Sequence, residues 1–594
     1  MKFMRLVLAV LAALAIAAAV KFIFWVSAFT GMLAAFEPPV TVGNDSVLTL
    51  DFTEVIADAP SNDPLAAIDL MNLSSVRRVS LFDALRAIET AADDNRIRGI
   101  CIRPAADGGP ESWAVAEELR TAIDEFRRSG KFVVAYNESY SQPEYYLASV
   151  ADRLYIEPMG EISWHGLAFT NIFYKGLLDK LGIEAEVFRP AACNYKSAVE
   201  PYILDRMSDD NRRQMQQLAD DMWGTIAADV AASRNMSVAR LNELTDSLAV
   251  CEAADAVRNG FADGAIYEDE FEDEIAGLSG TRDWQSVTLG EYASSLRASS
   301  GRSSRQVVAV VYAEGDIVEG YGGPSRGDEH IYGGTLAARL ADLADDRTVK
   351  AVVLRVNSPG GSALAADVVW REMQLLREVK PVVVSMGAYA ASGGYYIAAP
   401  ADVIVADRLT LTGSIGVFGL ALNPAAALRD KLGITFDGVK SNASADIYAP
   451  GHTLTAAERA SLMRSVDRFY GHFTRLVAEG RNLPTERVQE LAQGRVWSGA
   501  AADSLGLADA CGGLKSAIAI AASKAGLTDF RVEECIDEPQ GVAALFATLR
   551  TSVRQRILHA EFPEFPEYCE TVKRLRQVAG RNGVMMYSDV RIEL

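Results

Sequence analysis

The chain is poor in the residues that most often carry hydrolytic and metal chemistry. It has 594 residues, of which five are histidine and six cysteine. The cysteines (Cys101, Cys193, Cys251, Cys511, Cys535 and Cys569) are scattered. None forms C-x-x-C, and no histidine stands at zinc-ligand spacing from one. No metal site is therefore expected, and no cofactor. Buried thiols are the expectation, with at most one or two disulfides if the body is exported. Positive charge is also short: 58 Lys+Arg face 79 Asp+Glu, a formal net charge of −21. With no basic stripe to offset that balance, nucleic acid is excluded as a partner. Hydrophobic residues make up 49% of the chain, enough for a large packed interior. Its length predicts two to four domains rather than one core.

The longest apolar stretch stands at the start. Lys2 and Arg5 precede a run from Leu6 to Val20, and after Lys21 the run resumes from Phe22 to Phe29. Read as one helix, Leu6–Phe29 spans a bilayer, which needs about 20 residues, with Lys21 snorkelling to the interface beside Trp25. No Lys or Arg occurs from Phe22 to Val76, so the positive-inside rule leaves Lys2 and Arg5 in the cytoplasm and the body outside. Ala17-Ala18-Ala19 could be read as a signal-peptide cleavage site. The apolar run continues past it, which favours an uncleaved anchor over residues 1–36. Both readings export the body.

The body contains itself twice. DDNRIRGICIRPAADGG (from Asp93) matches DDRTVKAVVLRVNSPGG (from Asp345), and KFVVAY (from Lys131) matches KPVVVS (from Lys380). YYLASVADRLYIEP and YYIAAPADVIVADR follow, their first tyrosines, Tyr145 and Tyr395, standing 250 residues apart. NGFADG (from Asn259) echoes LGLADA (from Leu505). Two homologous domains are expected, at 45–295 and 307–528. A Ser/Arg-rich linker, 296–306, would join them, and 529–594 would be an extension of unknown role. Runs such as Val307–Tyr312, Ala351–Val356, Val382–Ser385 and Val403–Ala406 read as buried parallel strands. Ala363–Val379 has helical spacing. The fold class is α/β, with a mostly parallel sheet in each repeat.

The densest motif is SMGAYAASGGYYIAAPAD, from Ser385 to Asp402. A strand enters a small-residue turn and a helix starts near Ser392, which would expose the Ser392 Oγ. Gly393 and Gly394 allow close approach of a substrate carbonyl, and Gly360-Gly361 of RVNSPGGS could supply a second N–H. A serine needs a base. Among His165, His330, His452, His472 and His559 only His165 falls in a matched motif, and it lies in the other repeat, so no Ser-His-Asp triad suggests itself. A lysine can serve where burial disfavours its charged form. Lys196, in NYKSAVEPYILDRMS, is the candidate. The matching stretch of the second repeat, SNASADIYAPG, has no lysine, and the first repeat has Gln142 where the second has Ser392. Each half lacks what the other keeps, as one composite site at the interface requires. No carboxylate should pair with Lys196, and nearby Glu200 should point elsewhere.

YKSAVEPY around Lys196, SPGGS at Ser358–Ser362, MGAYAASGGYYIA around Ser392, LTGSIGVFG at Leu411–Gly419 and GRVWSGAAADSLGLAD at Gly494–Asp509 resemble the signatures of the signal peptide peptidase (protease IV) family, in its long two-repeat form. The resemblance covers the chain to about residue 528. It implies two tandem crotonase/ClpP-like domains behind a transmembrane helix, and a homotetramer on the periplasmic side of the bacterial cytoplasmic membrane. It also implies digestion of released signal peptides by a Ser-Lys dyad. Ser392 would be the nucleophile and Lys196 the base, with Ser414 orienting the amine and Gly361 and Gly393 forming the oxyanion hole. The tail, with EFPEFPEYCE and RNGVMMYSDVRIEL, departs from the pattern. Two other readings stand beside this one. A crotonase-superfamily acyl-CoA enzyme would share the sheet and the oxyanion hole, but would be cytoplasmic and would have no need of Ser392 or Lys196. An inactive membrane scaffold would not need the reciprocal residues either.

Overall fold

The computed structural model describes residues 42–60, 68–69, 74–75, 77–104, 109–299, 304–322, 330–449, 451–535 and 585–588. The expected anchor at 1–36 lies outside them. Among the described residues no helix is long and apolar enough to cross a membrane.

Each repeat builds a sheet in the same strand order. In the first, the order is Gly264–Ala265, Arg153–Ile156, Phe132–Asn137, Ile97–Ile102, Ser46–Leu50, Gln285–Thr288, with every neighbour parallel. In the second, Ala510–Cys511, Val403–Ala406, Val382–Ala391, Val349–Ser358, Val307–Glu314 and Arg531–Cys535 repeat it. Strands buried on both faces by crossover helices need apolar residues at successive positions, and all five residues of Ser46–Leu50 are buried. The covering helices bury one stripe each. Ala363–Val379, capped by the Ser362 hydroxyl, packs Ala366, Val369, Met373 and Leu376 inward.

Side-chain bonds recur at matching places in the two repeats. Asp152 accepts from the Val133 N–H and Asp402 from the Val382 N–H, both at 2.9 Å. The Tyr145 hydroxyl donates to the Phe261 carbonyl and that of Tyr395 to Leu507, at 2.9 and 2.8 Å. Asp263 and Asp509 accept from the Leu154 and Ile404 N–H groups at 2.7 Å. Two boundaries differ from the sequence reading. The helix Leu289–Ser299 runs into the expected linker, its Tyr292 and Ala293 packing on the first core. Arg531–Cys535, assigned to the extension, is the edge strand of the second sheet, the counterpart of Gln285–Thr288 in the first.

The second sheet carries an addition that positions the site. Val382–Ala391 is long enough to serve two neighbours: its first half pairs with Val403–Ala406 and its last three residues with Leu411–Gly413. That register sets Ala391 opposite Gly413, so the residues that follow each strand, Ser392 and Ser414, are brought side by side.

The repeats are joined by a two-stranded antiparallel sheet, Glu184–Phe188 with Gly419–Asn423, and by a buried ionic triad. Arg355 donates to Asp58 Oδ1 at 2.7 Å, to Glu118 Oε1 at 2.8 Å and to the Ser385 hydroxyl at 2.8 Å. Its side chain is 0% exposed. Burial opposes its charge, but the Asp58 and Glu118 carboxylates more than offset that and hold the guanidinium's pKa above its ordinary value. Burial raises the pKa of the Glu118 carboxyl, and Arg355 pulls it back. Removing the cation would strand two carboxylates from the other repeat in the interface. Arg355→Met is therefore expected to destabilise the protein by about 3–5 kcal/mol in denaturant unfolding, with partial recovery when Asp58→Asn and Glu118→Gln are added. Equal stability of Arg355→Met and wild type would remove the triad as the join between the repeats.

Candidate active site

Ser392 is the residue on which strand turns into helix. It follows Val382–Ala391 and caps the helix Gly393–Ala398 with φ 55° and ψ −110°. A side chain in that region is strained and persists only where its surroundings fix it. Here the Ser392 N–H is held by the Gly413 carbonyl at 2.8 Å. The glycines after it are required by close packing. A Cβ on Gly394 would stand 2.6 Å from the Ser358 carbonyl oxygen, and one on Gly393 would stand 3.1 Å from the Gly361 nitrogen. The SPGGS and SGG turns thus meet backbone to backbone, with Gly361 and Gly393 against one another. The expected open hydroxyl is not found. Ser392 is 0% exposed, because its Oγ lies between Lys196 and the Gly416 carbonyl, under the contact of the two turns.

Lys196 reaches this serine from the first repeat. It lies between the inter-repeat strand Glu184–Phe188 and the one-turn helix Ser197–Val199. The Tyr195 N–H donates to the Gln493 carbonyl at 3.1 Å. Gly494, at φ 78°, lies flat against the lysine, where a Cβ would stand 2.6 Å from that of Lys196. The side chain is 1% exposed. Its Nζ lies 2.7 Å from Ser392 Oγ, 2.9 Å from Ser414 Oγ and 3.1 Å from the Ser414 carbonyl oxygen. Ser392 Oγ also lies 3.3 Å from the Gly416 carbonyl. Ser414 is pinned by its N–H to the Arg495 carbonyl at 2.7 Å, and its hydroxyl is 3.4 Å from the Gly494 carbonyl.

The residues singled out in the sequence converge: Ser392, Lys196 and Ser414 touch, and Gly361 and Gly393 lie against one another. Glu200 does turn away, its carboxylate accepting from the Ser208 N–H and hydroxyl and from the Asn211 amide. Three of the described histidines do other work. His472 bonds Asp367 and Arg475. His165 uses its backbone N–H on the Gln142 amide oxygen. His452 bridges Asp446 and Glu458 at 3.3 and 2.9 Å. Those three residues could bring ligand atoms within 4.8 Å of one another around a cation, but the imidazole already bonds both carboxylates. What the sequence reading missed is the part played by the Gly494–Arg495 turn. It stood out as a motif, and its one signal was a glycine that packing on Lys196 requires.

The first repeat shows what became of its own copy of the site. Gln142, at the place of Ser392, donates its amide to the Gly166 carbonyl at 3.2 Å, where Ser392 faces Gly416. Trp164, at the place of Ser414, is buried in the first core. The equivalent volume is filled with side chain.

Cys193 lies beside the dyad, fully buried, with its sulfur 3.4 Å from where a Gly416 Cβ would stand. Burial pushes its thiol up to about 11, with Lys196 opposing. Below that value it stays protonated and a poor nucleophile. Iodoacetamide at pH 8 is therefore expected to leave the activity of the native chain intact. Rapid inactivation with alkylation at Cys193 would overturn this. Cys101, Cys193, Cys251, Cys511 and Cys535 are all free.

Two stretches of the chain, residues 125–281 and 374–528, match the model of Peptidase family S49. Protease 4 of Salmonella typhi is 36% identical over 530 residues, 86% of this chain and 84% of that protein. Protease 4 of Haemophilus influenzae is 35% identical over 456 residues, 74% of this chain and 72% of that one. The chloroplastic serine protease SPPA of Arabidopsis thaliana is 32% identical over 506 residues, 84% of this chain and 71% of that one. Among solved structures, a point mutant of ClpP1 from Listeria monocytogenes matches with a TM-score of 0.23 and 14% identity, covering 35% of this chain and 94% of that one.

Proposed function

The chain belongs to peptidase family S49 and is a serine peptidase; from that premise we propose that it cleaves apolar, unfolded peptides, released signal peptides among them, with Ser392 as nucleophile and Lys196 as general base. The reading is carried by one observation, the 2.7 Å contact of Lys196 Nζ with Ser392 Oγ, made between repeats and away from solvent. Ser392 Oγ attacks the scissile carbonyl carbon and its proton passes to Lys196 Nζ. The oxyanion is met by the Gly361 and Gly393 N–H groups, each worth about 3–4 kcal/mol. The lysine then gives its proton to the leaving amine, and the acyl-enzyme is released by a water that the same lysine deprotonates. Ser414 holds the amine in line. The rival acyl-CoA reading would use the two amides but has no task for a buried lysine on a serine.

The scaffold is proposed to be of the crotonase/ClpP type. The protein would be held by Leu6–Phe29 in the bacterial cytoplasmic membrane with its body in the periplasm, and assembled as a homotetramer. The assembly is supported by an exposed apolar run, Leu432, Ile434, Phe436, Val439 and Tyr448, of a kind that marks contact surfaces. Release from membranes by salt would remove the anchor, and sedimentation of the solubilised protein as a monomer would remove the tetramer.

Substrate choice follows from the walls of the site. AYAASGG and LTGSIGVFGL bring small and apolar residues and no charge. In a peptide library, Ala and Leu are expected to be favoured at the position before the cut. Preference for Lys, Arg, Asp or Glu there would refute the proposed substrate class.

A further inference from the structure

The buried face of the helix Asp209–Ser233 begins with two amides, Asn211 and Gln214, before it turns apolar at Met215, Leu218 and Met222. A buried polar side chain is informative, because it has to be satisfied where it stands. Gln214 is 1% exposed, and its bonds lead to the residues around the dyad. Its amide nitrogen donates to the Tyr195 carbonyl at 3.0 Å and to the Ser197 hydroxyl at 3.2 Å, the residues on either side of Lys196. Asn211 Oδ1 lies 3.1 Å from the same nitrogen, and the Asn211 amide nitrogen donates to Glu200 at 2.9 Å. The Gln214 amide oxygen accepts from the Val496 N–H, in the second repeat, at 3.3 Å. These partners fix the orientation of the amide. The Tyr195 carbonyl can only accept and the Val496 N–H can only donate, so nitrogen and oxygen cannot exchange places.

Val496 is not an arbitrary partner. Its N–H belongs to the same peptide group as the Arg495 carbonyl, and that carbonyl accepts from the Ser414 N–H at 2.7 Å. Val496 also stands opposite Gly413 in the antiparallel pairing of Val496–Ser498 with Leu411–Gly413. Ser414 in turn meets Lys196 Nζ with its hydroxyl and carbonyl oxygens, at 2.9 and 3.1 Å. The hydrogen bonds therefore close a ring. It runs from the backbone beside Lys196 through the Gln214 amide and the Arg495–Val496 peptide to Ser414, and back to the lysine's own amine. Both ends of the lysine, its backbone and its Nζ, are thereby referred to one peptide group of the other repeat. The next turns of the helix make the same crossing. Gln217 accepts from the Arg495 guanidinium and Asp221 from the Ser498 hydroxyl, so positions i, i+3 and i+7 of one helix face meet residues 495–498. The Arg495 guanidinium also lies over the Tyr195 and Trp497 rings, 5.0 and 4.1 Å from their centroids.

We propose that Gln214 is a positioning residue of the Ser-Lys dyad: its carboxamide sets where Lys196 stands against Ser414 and Ser392, by tying the backbone on both sides of the lysine to the peptide group that holds Ser414. The proposal rests on the dyad reading above. Gln214 is buried and acts through Lys196, so it governs the chemical step and leaves substrate binding alone. A displacement of the amine by about 1 Å is enough to cost on the order of 100-fold in rate.

The test uses the full chain and two variants. Gln214→Met keeps the length of the side chain and removes the amide's hydrogen bonds. Gln214→Glu keeps an acceptor for the Val496 N–H, but as a carboxylate has no N–H for Tyr195. Whichever keeps the wild-type circular dichroism is used. The first readout is hydrolysis of a short apolar chromogenic peptide, with kcat expressed per site titrated to completion by a serine-reactive phosphonate, so that loss of folded protein is not counted as loss of rate. Against wild type, kcat per site should fall by about 10–100-fold with KM within about twofold. The second readout, hydrogen exchange followed by mass spectrometry, needs no activity. Residues 194–198 and 411–416 should exchange faster together in the variant, with the core strand 349–356 unchanged. In an active chain, either change without the other, or a raised KM at wild-type kcat, would overturn the proposal. Failure of both variants to fold would also overturn it, making Gln214 a determinant of folding. Absence of hydrolysis and of phosphonate on Ser392 in wild type would sink the dyad reading, while the paired loosening would still show Gln214 joining the two segments.

Discussion

Ser392→Ala is expected to lower peptide hydrolysis by a factor on the order of 10⁴–10⁶ while changing unfolding free energy by about 1 kcal/mol or less. The loss is large because the proposed covalent step forms its bond at the Ser392 hydroxyl, which Lys196 Nζ meets at 2.7 Å, while the neighbouring Ser414 hydroxyl is assigned to holding the amine. The stability change is small because the substitution removes one oxygen and leaves the turn intact. The Ser392 N–H still reaches Gly413, and alanine meets the same backbone strain at φ 55° as serine does. The check is a steady-state rate with an apolar peptide, together with labelling by a serine-reactive phosphonate. Wild-type turnover by the alanine variant, or phosphonate found on another serine, would end the assignment.

The parts of this site that were legible in the sequence were those set by side-chain identity. Lys196 and Ser392 could be paired before any geometry was known, because each repeat lacks the partner that the other keeps. The repeats themselves were legible because parallel strands buried on both faces need long apolar runs, and such runs align well. The parts that were not legible depend on register and on close backbone approach. Nothing in LTGSIG says that Gly413 pairs with Ala391, yet that pairing is what sets Ser414 beside Ser392. Nothing in RVNSPGG marks Arg355 as the buried cation of an interface rather than an exposed strand residue, since its carboxylate partners are 297 and 237 residues away. The exposed hydroxyl expected at Ser392 failed for the same reason. A turn's sequence shows what can approach it, and only the fold shows what already has. Arg531–Cys535 was misplaced in the extension because three of its five residues, RVEEC, are charged. An edge strand is covered on fewer sides and carries a weaker pattern.

Lys196→Arg is expected to be as inactive as Lys196→Ala, and wild-type activity is expected to rise with pH along a single ionisation and then level off. The argument is a count of hydrogen-bonding capacity. Among the described residues, Ser392 Oγ, Ser414 Oγ and the Ser414 carbonyl oxygen lie around the amine, at 2.7, 2.9 and 3.1 Å. A neutral amine has two N–H groups and one lone pair. The Ser414 carbonyl can only accept, and the Ser414 hydroxyl, 3.4 Å from the Gly494 carbonyl to which it can donate, can accept as well. The two N–H groups are then both used on Ser414, and the lone pair is left to Ser392, the direction in which a base must point. An ammonium in the same place has no lone pair and cannot take the serine proton. Lowering the pH therefore withdraws the base without disturbing the contacts, and the rate falls with the neutral fraction. Guanidinium stays protonated throughout the working range. Arginine would also bring a longer, planar head to a buried position that holds a single amine, so the rate of Lys196→Arg has to be read with its folding checked by circular dichroism. A folded Lys196→Arg chain with substantial activity, or a wild-type rate independent of pH, would mean that the site uses positive charge rather than basicity, and the dyad would have to be given up.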